Sequence, residues 1–102
     1  MSNEKFLLAV DGENLDRMAV RFRMLGEPMR LRILQAVCKA PRMVNDIVSA
    51  TGSTQANVSK HLALLAAAGI LARQKDGQRV YYRIKDRLAV KLCELVRAQL
   101  AD

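Results

Sequence analysis

The stretch M43-V-N-D-I-V-S-A-T-G-S-T-Q-A-N-V-S-K-H-L-A-L-L-A-A-A-G69 decides the fold. Met43 to Ala50 is short, apolar and helical in pattern. T51-G-S53 is a tight turn. Thr54 to Ala68 reads as a longer helix, with Ser53 suited to its N-cap and Gly69 to its C-terminal end. In that helix Val58, Leu62, Leu65 and Gly69 fall on one side, at the spacing of a buried face. Ala56, Asn57, Lys60, Ala63 and Ala67 fall on the opposite side, with Gln55 and Ser59 between them and His61 on the flank.

Upstream, Glu13 to Leu25 reads as a helix in which Leu15, Met18, Ala19, Phe22 and Leu25 form one apolar stripe. Val20 and Met24 lie on another side, and a helix with two apolar sides needs two things to pack on. G26-E-P28 interrupts it, and Pro28 suits the first turn of a helix running from Met29 to Ala40. Downstream the period changes to two. I70-L-A-R-Q-K75 and R79-V-Y-Y-R-I84 flank D76-G77, a hairpin signal. Asp86 to Leu100 is helical again, with Leu88, Leu92, Leu95, Val96 and Leu100 on a broad apolar arc. The predicted order is α-α-α-α-β-β-α, a mainly helical α+β domain. A short helix, a turn with glycine, a longer helix and a basic hairpin make a winged helix–turn–helix.

Composition bounds what such a domain can do. The 102 residues make one domain with one core, and half of them are hydrophobic. A net charge of +7 points to a polyanionic partner or a solubility device, and charge alone does not separate nucleic acid from an anionic membrane. No apolar run is long enough to span a bilayer, and the patch Phe6 to Val10 is too short for a signal peptide, so a cytoplasmic, non-membrane protein is expected. The two cysteines, Cys38 and Cys93, match no zinc-ligand or CxxC spacing and are expected as free thiols. No Ser-His-Asp, Cys-His or paired-carboxylate arrangement supports an enzyme.

Three blocks carry a more specific signal: F22-R-M-L-G-E-P-M-R-L-R-I-L34, Q55-A-N-V-S-K-H-L-A-L-L-A-A-A-G-I-L71 and D76-G-Q-R-V-Y-Y-R-I84. In this order they resemble the ArsR/SmtB family of bacterial transcriptional repressors, and the resemblance runs from about Leu15 to the end. It implies a homodimeric winged helix that binds double-stranded operator DNA and leaves it when a small inducer binds. It also implies that the first and last helices build the dimer. The expected organisation is a flexible extension over 1–12 and the winged domain over 13–102. Within that domain the recognition helix is about 54–68, the wing about 70–84 and the dimerisation helices about 13–25 and 86–100.

A recognition helix needs a thin outer face to enter a major groove only ~12 Å wide, which the alanines provide. Gln and Asn can bond adenine, Ser a base or phosphate, and Lys guanine or phosphate. The expected DNA-contacting set is Ser53, Thr54, Gln55, Asn57, Ser59, Lys60 and His61, with Gln78 and Arg79 at the wing tip. Arg73, Lys75 and Arg83 add charge. Arg30 and Arg32 are expected to pack or pair within the fold. His61 lacks partners for a metal site and reads as an edge residue, packed or on a phosphate.

Some members of the family sense metals. One pattern places a cysteine pair at the start of the short helix, where this chain has M43-V-N-D-I-V48. Another uses Asp and His on the last helix; Asp86 is present, but Leu88 stands at the next ligand position. No metal ligand and no cofactor are therefore expected, and a metal-responsive repressor with an unrecognised site remains the alternative. Other relatives sense reactive sulfur or oxidants through two cysteines, which makes Cys38 and Cys93 the candidate redox-sensing pair. The simpler role for Cys38 is a small core residue. A winged-helix protein–protein module is the alternative from another functional class.

Overall fold

The computed structural model describes residues 4–101. Its elements are α1 (Glu4–Leu8), α2 (Gly12–Leu25), α3 (Pro28–Val37), β1 (Arg42–Met43), α4 (Val44–Thr51), α5 (Gln55–Ala67), β2 (Leu71–Asp76), β3 (Arg79–Ile84) and α6 (Arg87–Leu100). The mainly helical order and the hairpin agree with the sequence reading. Two short pieces add to it. Residues 4–8, within the expected extension, form a five-residue helix, while residues 1–3 of that extension lie outside the described residues. Arg42–Met43 forms a third strand. Neither piece is long enough to show a period.

Local chemistry sets the helix ends. Asp11 caps α2 by accepting from the Asn14 amide at 2.8 Å. Glu27 caps α3 by accepting from the Arg30 amide at 3.1 Å, and Pro28 begins that helix, where its missing N–H costs nothing. Gly52 ends α4 with φ at 69°, a left-handed conformation that glycine adopts without strain. Thr54, one residue after the expected Ser53, caps α5 by accepting from the Asn57 amide at 3.1 Å. Ser53 serves instead as acceptor for the Asn57 side chain.

The sheet order is β1-β3-β2, antiparallel throughout. Met43 lies opposite Tyr81, and Leu71 opposite Ile84. The hairpin closes through Gly77 and Gln78, and Gly77 supplies the positive φ of 64°.

The core gathers Ile33, Leu34 and Val37 of α3, Ile47 of α4, and Val58, Leu62 and Leu65 of α5. Ile70 and Leu71 close it from the start of the hairpin, with Tyr82 and Ile84 packed against it. The outer helices share little of this core. α2 buries only Leu25 and α6 only Ala89. Leu15, Val20 and Phe22 of α2 and Leu88, Leu95, Val96 and Leu100 of α6 stay exposed. The chain is accordingly extended, with a radius of gyration of 15.5 Å against the ~13 Å usual for its length. Among the described residues no helix is long and apolar enough to cross a membrane.

Candidate nucleic-acid interface

The helix–turn–helix is α4, the turn at residues 52–54, and α5. Its angle is fixed by Gly52 and the Thr54 cap at one end, and by Val58, Leu62 and Leu65 sunk into the core at the other. That anchoring turns Gln55, Ala56, Ser59, Lys60, Ala63 and Ala67 outward. The outer surface of α5 is therefore low along most of its length, with polar groups concentrated in its first two turns. The free amides of that helix start add a partial positive charge.

Asn57 is half-buried. Its backbone amide donates to Thr54 Oγ1, and its Nδ2 donates to Ser53 Oγ at 2.9 Å. One N–H and the carbonyl oxygen of its amide stay uncommitted, and the Ser53 bond fixes its rotamer. Thr54 is exposed, and Ser53 is partly covered by that same bond.

β2 leaves directly from the C-terminal end of α5, where the Ile70 amide donates to Leu65 O at 3.0 Å. The wing thus springs from the recognition helix itself. Gln78 and Arg79 sit exposed at its tip, with Arg73 and Lys75 along β2. Among the described residues Lys60, Arg73, Lys75 and Arg79 have no carboxylate within ion-pair distance. Their charge is directed at solvent rather than spent inside the fold.

One expected contact residue is displaced. His61 is not at the DNA-facing edge; it is buried, with 7% of its surface exposed. Its Nδ1 accepts from Arg30 Nε at 3.3 Å, and its Nε2 lies 4.0 Å from Glu27 Oε2. A buried imidazole bonded to Arg30 through Nδ1 fits the packed reading of this residue and not the phosphate one. Arg30 does pair within the fold, as expected. The role of Glu27 was missed because glutamate is not among the residues usually found at a helix N-cap.

The residues discussed as sensors lie elsewhere. Cys38 is half-buried at the C-cap of α3 rather than within the core, and its Sγ donates to Gln35 O at 3.2 Å. Cys93 is half-buried on α6, and burial raises its thiol pKa above the ordinary range. Asp86 has both oxygens engaged: Oδ1 accepts from the Leu88 amide at 3.0 Å, and Oδ2 pairs with Arg21 of α2.

Comparison with known proteins adds a second line of evidence. Residues 27–73 match the model of the arsR family of bacterial regulatory proteins. The chain is 33% identical over 87 residues to a probable mercury resistance operon repressor of Streptomyces lividans, covering 85% of this chain and 70% of that one. It is 35% identical over 74 residues to the transcriptional repressor SmtB of Mycobacterium tuberculosis, covering 72% of this chain and 55% of SmtB, so it spans little more than half that relative's length. A solution structure of a homodimeric winged helix–turn–helix DNA-binding domain from Mycobacterium bovis superposes with a TM-score of 0.74. That domain is 30% identical, over 98% of this chain and 87% of that one.

Proposed function

Because this chain belongs to the ArsR family of bacterial transcriptional regulators, we propose that it acts as a homodimeric, sequence-specific repressor that occupies an operator through α5 and the wing. The observation that carries this reading is the division of α5. Its core side is fully committed, and its outer side offers Gln55, Ser59 and Lys60 on a face kept low by Ala56 and Ala63.

In the proposed complex α5 enters a major groove. Gln55 and Asn57 read adenine edges, Ser59 and Lys60 reach bases or phosphates, and Ser53 and Thr54 hold the approach of the helix start to the backbone. Gln78 and Arg79 take phosphates or lie along the neighbouring minor groove. Two copies joined through the uncovered faces of α2 and α6 present two such helices to half-sites about one DNA turn, ~34 Å, apart. Sequestering those apolar faces is what a monomer in water lacks.

Metal sensing does not fit the donors present. Asp86 is occupied by Arg21 and by the α6 cap, Leu88 stands two residues after it, and Val44 and Asn45 begin α4 where a thiol pair would stand. Thiol sensing fits little better. Cys38 is half-buried at the C-cap of α3 with its Sγ donating to Gln35 O, and burial raises the Cys93 thiol pKa, which disfavours its thiolate.

The test is fluorescence anisotropy with the chain's own upstream DNA, using the double reversal Lys60→Glu with Arg79→Glu. Binding is expected to vanish while the dimer persists. Unchanged DNA binding refutes the assigned face. A protein partner retained by the double variant, with no DNA binding by the parent, favours the protein–protein module.

A further inference from the structure

His61 is buried and polar, and it lies on the helix proposed to read DNA. Apolar contacts from Val58, Leu62 and Leu65 seat α5 and choose which face turns outward, but such contacts are non-directional and set the last few degrees of rotation less sharply than a hydrogen bond. A hydrogen bond from the same helix sets them closely, because its strength falls steeply with angle. At the radius of a helix side chain, a roll of about 10° moves an outward group by about 1 Å. That displacement is comparable to the tolerance of a paired base contact.

The acceptor that fixes this angle is His61 Nδ1, and its donor is Arg30 Nε at 3.3 Å. Arg30 is itself held at two further points. Its Nη1 donates to Met24 O at 3.3 Å, at the end of α2, and lies equally close to Met24 Sδ. Its backbone amide donates to Glu27 Oε2 at 3.1 Å, and the same oxygen faces His61 Nε2 at 4.0 Å. The Arg30 guanidinium therefore joins the end of α2 to the middle of α5, while its backbone amide closes the cap at the start of α3. His61 is four residues after Asn57 and directly follows Lys60, so the angle it sets is inherited by both.

We propose that His61 is a positioning residue for the recognition helix: its Nδ1 accepts from Arg30 and sets the rotation of α5 relative to α2 and α3. The proposal rests on the DNA-binding reading above. For the neutral imidazole it predicts a tautomer, because an Nδ1 that accepts must place the single proton on Nε2, toward Glu27. It also predicts which replacement preserves function. Asn at this position can offer Oδ1 close to where Nδ1 sits, whereas Phe keeps the bulk and offers no acceptor.

The experiment uses the full chain, its own upstream duplex and a scrambled duplex. The parent is measured first, and a parent without preference for the upstream duplex overturns the DNA reading rather than this one. Given that preference, His61→Phe is expected to weaken upstream binding about tenfold with the dimer intact, and His61→Asn is expected to restore it to within about threefold. Arg30→Lys, which keeps the charge but cannot reach Met24 and His61 together, is expected to behave like His61→Phe. Equal binding by His61→Phe and the parent overturns the proposal, and so does equal weakening by Phe and Asn. If His61→Phe does not fold, Arg30→Lys decides alone, and full binding by it overturns the proposal. Nitrogen-15 NMR of the imidazole gives an answer independent of DNA: a proton on Nδ1 in the neutral form overturns it.

Discussion

Replacing Leu95 with alanine should separate the two copies far more than it disturbs either one. Leu95 lies on α6 with 57% of its surface exposed, two turns beyond Leu88 and beside Val96. Fully burying a leucine stabilises by about 1.5–3 kcal/mol, so covering the exposed half in a dimer is worth about 1–1.5 kcal/mol. A twofold interface counts the change twice, once per copy. The total is about 2–3 kcal/mol, which raises the dimer dissociation constant roughly 30- to 150-fold. Alanine is the best helix former, so α6 should survive the change. Sedimentation equilibrium over a concentration series reads the dissociation constant, and circular dichroism checks the helix content. An exposed leucine with no partner would move stability by less than about 0.5 kcal/mol. A variant that dimerises as the parent does refutes the assignment of this face, as does a parent that is monomeric throughout.

Three further outcomes follow from other parts of the fold. Arg79→Ala should lower affinity about equally for upstream and scrambled DNA and reduce the salt slope by about one per wing, measured by anisotropy titrations in several salts. Gly52→Ala should cost about 1 kcal/mol of stability in urea unfolding. A Cβ there meets nothing within 4 Å, so the cost is the left-handed backbone alone. Alkylation of Cys93 at neutral pH should be slower than in the urea-unfolded chain and should climb at higher pH, because burial favours the neutral thiol. A pKa raised by folding also means that the thiol's contribution to stability is complete below the unfolded value and is lost as pH rises through the folded one.

The angular pattern of α5 was legible because Val58, Leu62 and Leu65 have one apolar solution, the side facing the core. The apolar stripe expected on α2 is not its buried face: Leu15 and Phe22 of that stripe are exposed along with Val20, and the helix packs on its own fold only near its end, through Leu25 and Met24. His61 was not legible, because a position at the edge of an apolar face can turn either way. What turns it inward is Arg30, 31 residues earlier, and periodicity carries no information about such a partner. The cap of α5 was misplaced by one residue because Ser53 and Thr54 are both good caps, and the geometry of the turn chooses between them. β1 was missed because its two residues are too few to alternate, and it exists only because β3 offers an edge. α1 was missed for the same reason of length.

Operator recognition by α5 is tested most directly by titrating the parent chain with its own upstream duplex and with a scrambled duplex of the same composition, at low and at physiological salt. A base-reading helix predicts that both affinities fall with salt while a preference of about a thousandfold for the upstream duplex survives at the higher salt. Equal affinity for the two duplexes at both salts would contradict it, and would leave only the nonspecific attraction of a basic surface for a polyanion.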